Sequence, residues 1–82
     1  MTVQEIIDAM VPVFREVLDA DDIELTEATT AEAIIEWDSL NHVQLLHSIE
    51  QRFGVEIPQA EAATFKNVGD MARAISVKLA PR

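Results

Sequence analysis

The chain has no cysteine, and its 82 residues include only 6 Lys and Arg against 15 Asp and Glu. The absence of cysteine excludes a disulfide framework and any thiolate metal site. The shortage of basic residues disfavours nucleic acid, because phosphate binding needs clustered Lys and Arg. A formal charge of -9 favours a basic protein partner, since opposite fields raise encounter rates and bias orientation. No apolar run approaches the roughly 18–20 residues of a membrane helix. The opening MTVQEIIDAM carries acids where a secretory leader carries bases, so a cytoplasmic protein without a membrane span is expected. Glycine occurs twice. There is no internal repeat, low-complexity tract or interdomain linker, and the Gly-x-Ser-x-Gly turn of serine hydrolases is missing.

A chain of this length is expected to form one domain, 1–82, acting as a monomer. Its core is thin. Domains of this size bury about 60–65% of the surface they expose when unfolded, which leaves little room for the roughly 300–1,000 Å³ cavity usual in enzymes.

The helical spacing of Val3, Ile6, Ile7, Met10, Phe14, Val17 and Leu18 predicts a first helix over Thr2–Asp19. Thr2 and Glu5 form the pattern of a capping box. Pro12 interrupts this segment and removes an amide donor, so a kink near residues 8–12, or two helices in succession, is expected. Asp19 to Asp38 is a long acidic connection. In it Ile23, Leu25, Ile34 and Ile35 read as studs that pin the loop to the core, with a helical turn near Thr30–Ile35 capped by Thr30. Ser39 to Phe53 is the clearest helix. Leu45, Leu46, Ile49 and Phe53 form its inward stripe, Val43 flanks it, and Gly54 stops it. Val55-Glu56-Ile57-Pro58 reads as a short extended link, and Ala60–Phe65 as one or two helical turns. Asn67 caps a last helix whose inner face is Val68, Met71, Ala72, Ile75 and Leu79, closed by Pro81. The fold class is therefore all-α: an antiparallel four-helix bundle, three main helices plus one short, with a long loop between the first and second.

The stretch Trp37-Asp38-Ser39-Leu40 carries the functional signal. Ser39 stands at the start of the best helix, where its hydroxyl either caps orphan amides or faces solvent. A phosphate ester there would lie in the favourable end of the helix dipole. Leu40 is apolar at a place that should face outward, with Val43 and His47 further along the same face. Such a patch with an acidic rim suits docking of a partner. A serine hydrolase would need an oxyanion hole and an orienting acid beside Ser39 and His42, and neither is legible, so no catalytic residue is assigned. His42 and His47 read as surface polar residues. The run from Asp19 to Glu24 fails as a calcium loop: counted from Asp19, the sixth position is Glu24 and the twelfth is Thr30, where glycine and glutamate are required. No metal site is assigned, and the clustered carboxylates offer at most loose attraction for divalent ions. Trp37 reads as a buried anchor for the loop, with an exposed contact beside Ser39 as the alternative, and Met10 and Met71 as core filler.

WDSLNHVQLLHSIEQRFGVEIP resembles the signature of the acyl carrier protein family, which includes the carrier domains of polyketide and nonribosomal peptide synthesis. FREVLDADDIELT is similar to the end of the family's first helix and the start of its loop, and Pro58 to Gly69 has the family's spacing through its short third helix. The resemblance implies that Ser39 receives 4'-phosphopantetheine from coenzyme A through a separate phosphopantetheinyl transferase. The arm's thiol then carries an acyl, aminoacyl or ketide group as a thioester between loading and downstream enzymes. It also implies that Asp38 helps the transferase read the site, that Leu40, Val43 and His47 meet partner enzymes, and that the protein catalyses nothing. Leu46, Ala62 and Phe65 would border the crevice that shelters short cargo.

The chain departs from the family's fatty-acid members before and after the serine. Glu36 and Trp37 replace a glycine and a small residue. Asn41, Gln44, Gln51, Arg52, Gln59 and Ala60 stand at positions often acidic or polar in them. A carrier of a specialised pathway is therefore expected, with a housekeeping fatty-acid carrier as the alternative. From another class, the alternative is an unmodified acidic helical adaptor.

Overall fold

The computed structural model describes residues 1–80. The chain forms α1 (Val3–Val17), a 3-10 turn (Ala31–Ala33), α2 (Ser39–Phe53), α3 (Gln59–Ala62) and α4 (Val68–Leu79). Among the described residues there is no strand, and α1 packs against both α2 and α4.

α1 forms as its capping box dictates. The Glu5 amide donates to the Thr2 hydroxyl at 3.1 Å, and the Thr2 amide donates to the Glu5 carboxylate at 2.8 Å. Pro12 does not divide the segment in two, because α1 runs as one element from Val3 to Val17. Asp8, whose carbonyl loses its helical donor at Pro12, is exposed, as is Pro12 itself, so water can satisfy that carbonyl. The buried face, Ile6, Ile7, Met10 and Phe14, lies on the other side. α1 ends with Asp19 in the left-handed region (φ 52). The Ala20 amide donates back to the Arg15 carbonyl at 3.1 Å, which is the hydrogen-bond pattern of a Schellman turn.

The long loop is tied to the bundle near its start and at its middle. Ile23 and Leu25 are buried, and the Arg15 side chain donates to the Ile23 carbonyl at 3.0 Å. Further on, the Val68 amide donates to the Thr29 carbonyl at 2.8 Å and the Gly69 amide to the Glu27 carbonyl at 2.9 Å. Ile34 is half-buried. Ile35 corrects the sequence reading: it is 93% exposed and pins nothing. It follows the 3-10 turn directly, and a short turn of this kind cannot send two successive side chains into one core. Thr30 stands at the head of that turn without a side-chain capping bond.

α2 stops at Gly54, which takes φ 65 and lets the Val55 amide reach the Glu50 carbonyl at 3.1 Å. Its buried residues are Leu45, Ile49 and Phe53, while Leu46 is only half-buried. α3 is a single turn, one of the two lengths expected, but it begins at Gln59 and ends at Ala62, before the expected end at Phe65. Asn67 caps α4, accepting from the Asp70 amide at 2.8 Å. Pro81 lies outside the described residues.

Candidate functional site

The start of α2 is built by the residues just before it. Asp38 is the N-cap, and its carboxylate accepts the Asn41 amide at 2.9 Å. The Asn41 side chain reaches back to the Glu36 carbonyl at 2.9 Å, which fastens the end of the loop to the helix. With Asp38 in the cap, Ser39 is the first helical residue and its hydroxyl is not needed for capping. Ser39 is exposed, and among the described residues its hydroxyl makes no hydrogen bond. Of the two roles open from the sequence, the hydroxyl takes the solvent-facing one.

Trp37 fixes the direction from which the chain enters α2. It is 8% exposed and meets Phe14 edge-on, with ring centroids 5.1 Å apart. Its indole Nε1–H donates to His42 Nδ1 at 2.9 Å, and the two rings lie 28° from parallel. His42 is therefore tied to the core anchor on one side of Ser39. This pairing was not legible in the sequence.

Two hollows lie along α2, and only the first is lined by Ser39. One, of about 420 Å³, is lined by Ala31, Trp37, Asp38, Ser39, His42, Val43 and Gln59. The other, of about 460 Å³, runs between α2 and α3, with Leu46, His47, Ile57 and Ala62 in its walls, and shares His42, Val43 and Gln59 with the first. Leu46 and Ala62 thus border one groove, as expected, but Phe65 does not. Phe65 lines a separate hollow with Trp37, Lys66, Asn67 and Met71, because α3 ends at Ala62 and the chain turns before Phe65.

Leu40 and Val43 are 70% and 61% exposed, and Asp38 and His47 are also exposed. Ile35 is an exposed apolar residue four positions before Ser39. Besides Asp38, the loop before α2 presents two exposed acids, Glu32 and Glu36. Along α2 and α3 the carboxylates are engaged. Glu50, the one acid of α2, accepts the Ile57 amide at 2.8 Å, and Glu61 pairs with Lys78 at 2.7 Å. Among the described residues no group of three or more His, Asp or Glu is gathered as a metal site, and no helix is long and apolar enough to cross a membrane.

The family described as "Phosphopantetheine attachment site" matches residues 8–75. The chain belongs to the acyl carrier protein family. It is similar to the acyl carrier protein of Helicobacter pylori, with 36% identity over 63 residues, 77% of this chain and 81% of that one. It is also similar to the acyl carrier protein of Thermosynechococcus vestitus, with 31% identity over 80 residues, 98% of this chain and 99% of that one. The solution NMR structure of holo acyl carrier protein from Geobacter metallireducens superposes with a TM-score of 0.83 at 42% identity, covering 89% of this chain and 84% of that one. The protein is thus a carrier and not an enzyme. Its cofactor is covalently attached 4'-phosphopantetheine, and it works with a phosphopantetheinyl transferase and biosynthetic enzymes. The site suits that group. An uncommitted hydroxyl stands on rigid backbone at the positive end of a 15-residue helix, where a phosphate ester is favoured. The arm supplies the thiol that a chain without cysteine lacks.

Proposed function

We propose that Ser39 is the attachment residue, and that the carrier delivers a small acyl or aminoacyl group, held as a thioester on the arm, in a specialised biosynthetic pathway. The observation that carries the first part is the division of labour between neighbours. Asp38 caps the helix, Trp37 and Asn41 hold the loop end, and the Ser39 hydroxyl alone is left free and exposed. Attachment joins Ser39 Oγ to phosphorus as a phosphodiester, while the nucleotide half of coenzyme A leaves. Reactivity then belongs to the arm, and the protein supplies positioning and recognition. A long arm raises the local concentration of cargo wherever the carrier docks.

The specialised reading rests on the surface of α2. Partner enzymes reading that helix would find Leu40, Val43 and His47 exposed, and would find its only acid already bound to the Ile57 amide. Recognition by apolar contact, steered by the acidic loop, fits this surface better than a row of carboxylates along α2. Asp38, beside the serine, contributes its negative charge to the transferase encounter. We take the protein to be a cytoplasmic monomer, 1–82, consistent with its charge and size.

Incubation with coenzyme A, magnesium and a broad-specificity transferase tests the proposal. The expected result is a mass gain of about 340 Da, the phosphopantetheine increment, lost in Ser39→Ala. No gain would favour the unmodified adaptor, and a gain surviving Ser39→Ala would place the arm elsewhere. Loading by a fatty-acid malonyl transferase at the rate of that enzyme's own carrier would refute the specialised pathway.

A further inference from the structure

His42 is the residue of the site that the attachment chemistry leaves without a task. It lies three positions after Ser39 on α2, and it lines the hollow that contains Ser39, the groove between α2 and α3 and the hollow under Phe65. Its Nδ1 accepts from Trp37 Nε1–H at 2.9 Å. An indole nitrogen is only a donor, so Nδ1 must hold the lone pair and a neutral ring must carry its proton on Nε2. Among the described residues Nε2 makes no hydrogen bond within the protein, and no buried side-chain nitrogen is left unsatisfied, so Nε2 reaches solvent. Trp37 is itself locked edge-on against Phe14 in the core. The ring of His42 is thereby held in one tautomer by a buried anchor, with a single free donor at the site.

We propose that His42 is a positioning residue for the arm, its Nε2–H donating to a phosphodiester oxygen of the group attached at Ser39. This rests on the Ser39 assignment made above. The phosphorus is bonded directly to Ser39 Oγ, so its free oxygens stay within a few ångströms of that atom, on the helix face that His42 shares. A neutral donor facing an anion makes a charge-assisted hydrogen bond, stronger than one between two neutral groups. It would hold the first part of the arm over the mouth of the groove between α2 and α3, where His42, Val43 and Gln59 are common to both hollows. Arginine or lysine in that place would attract any anion. A neutral ring whose other nitrogen is occupied recognises only an acceptor at the right position.

The experiment compares apo and holo protein carrying 15N-labelled histidine. Mass spectrometry first establishes the gain on Ser39. Long-range 1H–15N spectra should then show a protonated Nε2 and a bare Nδ1 at His42 in both forms. On loading, the His42 Nε2 resonance should shift and the His47 ring resonances should not. The 31P resonance of holo His42→Phe should differ from wild type by more than a linewidth, and His42→Gln, which keeps a donor, should return it toward wild type. Trp37→Phe keeps an aromatic ring against Phe14 but frees Nδ1, and should give a mixture of His42 tautomers. The absence of a mass gain overturns the Ser39 assignment and this inference together. A mass gain with unmoved His42 resonances, or with the same 31P position in His42→Phe, overturns this inference alone and leaves Ser39 as the attachment residue.

Discussion

Replacing Gly69 by alanine isolates the joint that holds the long loop to α4. Gly69 is buried in the first turn of that helix. A methyl carbon built there lies 2.8 Å from the Glu27 carbonyl oxygen, 2.9 Å from Glu27 Cβ and 3.1 Å from an Arg73 guanidinium nitrogen. The arginine can swing aside, since it is half-exposed at its pair with Glu27. The Glu27 backbone cannot withdraw without stretching the Gly69 amide bond at 2.9 Å, and with it the neighbouring Val68-to-Thr29 bond at 2.8 Å. Each such bond contributes about 0.5–1.5 kcal/mol net, and forcing a methylene into a packed contact costs about 1–3 kcal/mol. Against this stands the helix preference of alanine over glycine, at most about 1 kcal/mol. The net expectation is a loss of about 1–3 kcal/mol. For a domain of this size, 1 kcal/mol moves the melting temperature by about 4–8 °C, so a fall of about 5–20 °C is expected. Circular dichroism melting reads the shift, and hydrogen exchange at the Val68 and Gly69 amides reads its location. A melting temperature equal to or above wild type, with both amides still protected, would refute the reasoning.

Gly54→Ala acts by the other mechanism: nothing lies within 4 Å of the added carbon, but φ is +65, so a loss of about 1–2 kcal/mol from left-handed backbone alone is expected in a denaturant titration, and none would mean that the helix end rearranges. Leu45→Ala should cost about 2–5 kcal/mol as a fully buried truncation, and Leu46→Ala markedly less; equal midpoints in urea would show that the two share one environment. Ser39→Ala should leave the fold and melting temperature within error of wild type, because Asp38 rather than Ser39 supplies the cap, while abolishing phosphopantetheine loading; unfolding would contradict this. Asp70 titrates below its ordinary 3.8, chiefly through the Lys66 amide and then the Arg73 side chain. A carboxylate lowered by folding stabilises above its unfolded value and ceases to as pH falls through its folded one. The difference in melting temperature between wild type and Asp70→Asn should therefore be present near neutrality and close as the pH is taken below that value; a gap independent of pH would remove the carboxylate from the account.

Much of the fold was legible because local chemistry wrote it. Thr2 with Glu5, Gly54 and Asn67 mark helix ends through bonds made within a few residues, and the apolar spacing of α1 and α4 matches their buried faces. Ser39, the proposed attachment residue, is singled out in the same way, since a short run of residues in register carries the resemblance. Of the two outcomes expected at Pro12, two helices in succession is ruled out, since α1 is one element: a missing donor matters little when the stranded carbonyl faces water. Ile35 departs from its expected place because a side chain's direction depends on how a short turn closes, which hydrophobicity alone does not encode. Phe65, put at the groove by the resemblance, lies outside it because α3 ends at Ala62.

The order of residues determined that this chain would be helical, acidic, free of thiols and furnished with a serine at the start of its clearest helix, because composition, spacing and caps act over a few positions. Only the folded arrangement decided that Asp38 takes the cap and frees Ser39, that Trp37 grips His42, that Gly69 admits the Glu27 backbone and that Ile35 faces solvent. The Gly69–Glu27 contact joins segments distant along the chain. The Asp38 cap and the Trp37–His42 bond span only three and five positions, yet both depend on the direction in which the loop enters α2, which the packing of Trp37 against distant Phe14 fixes.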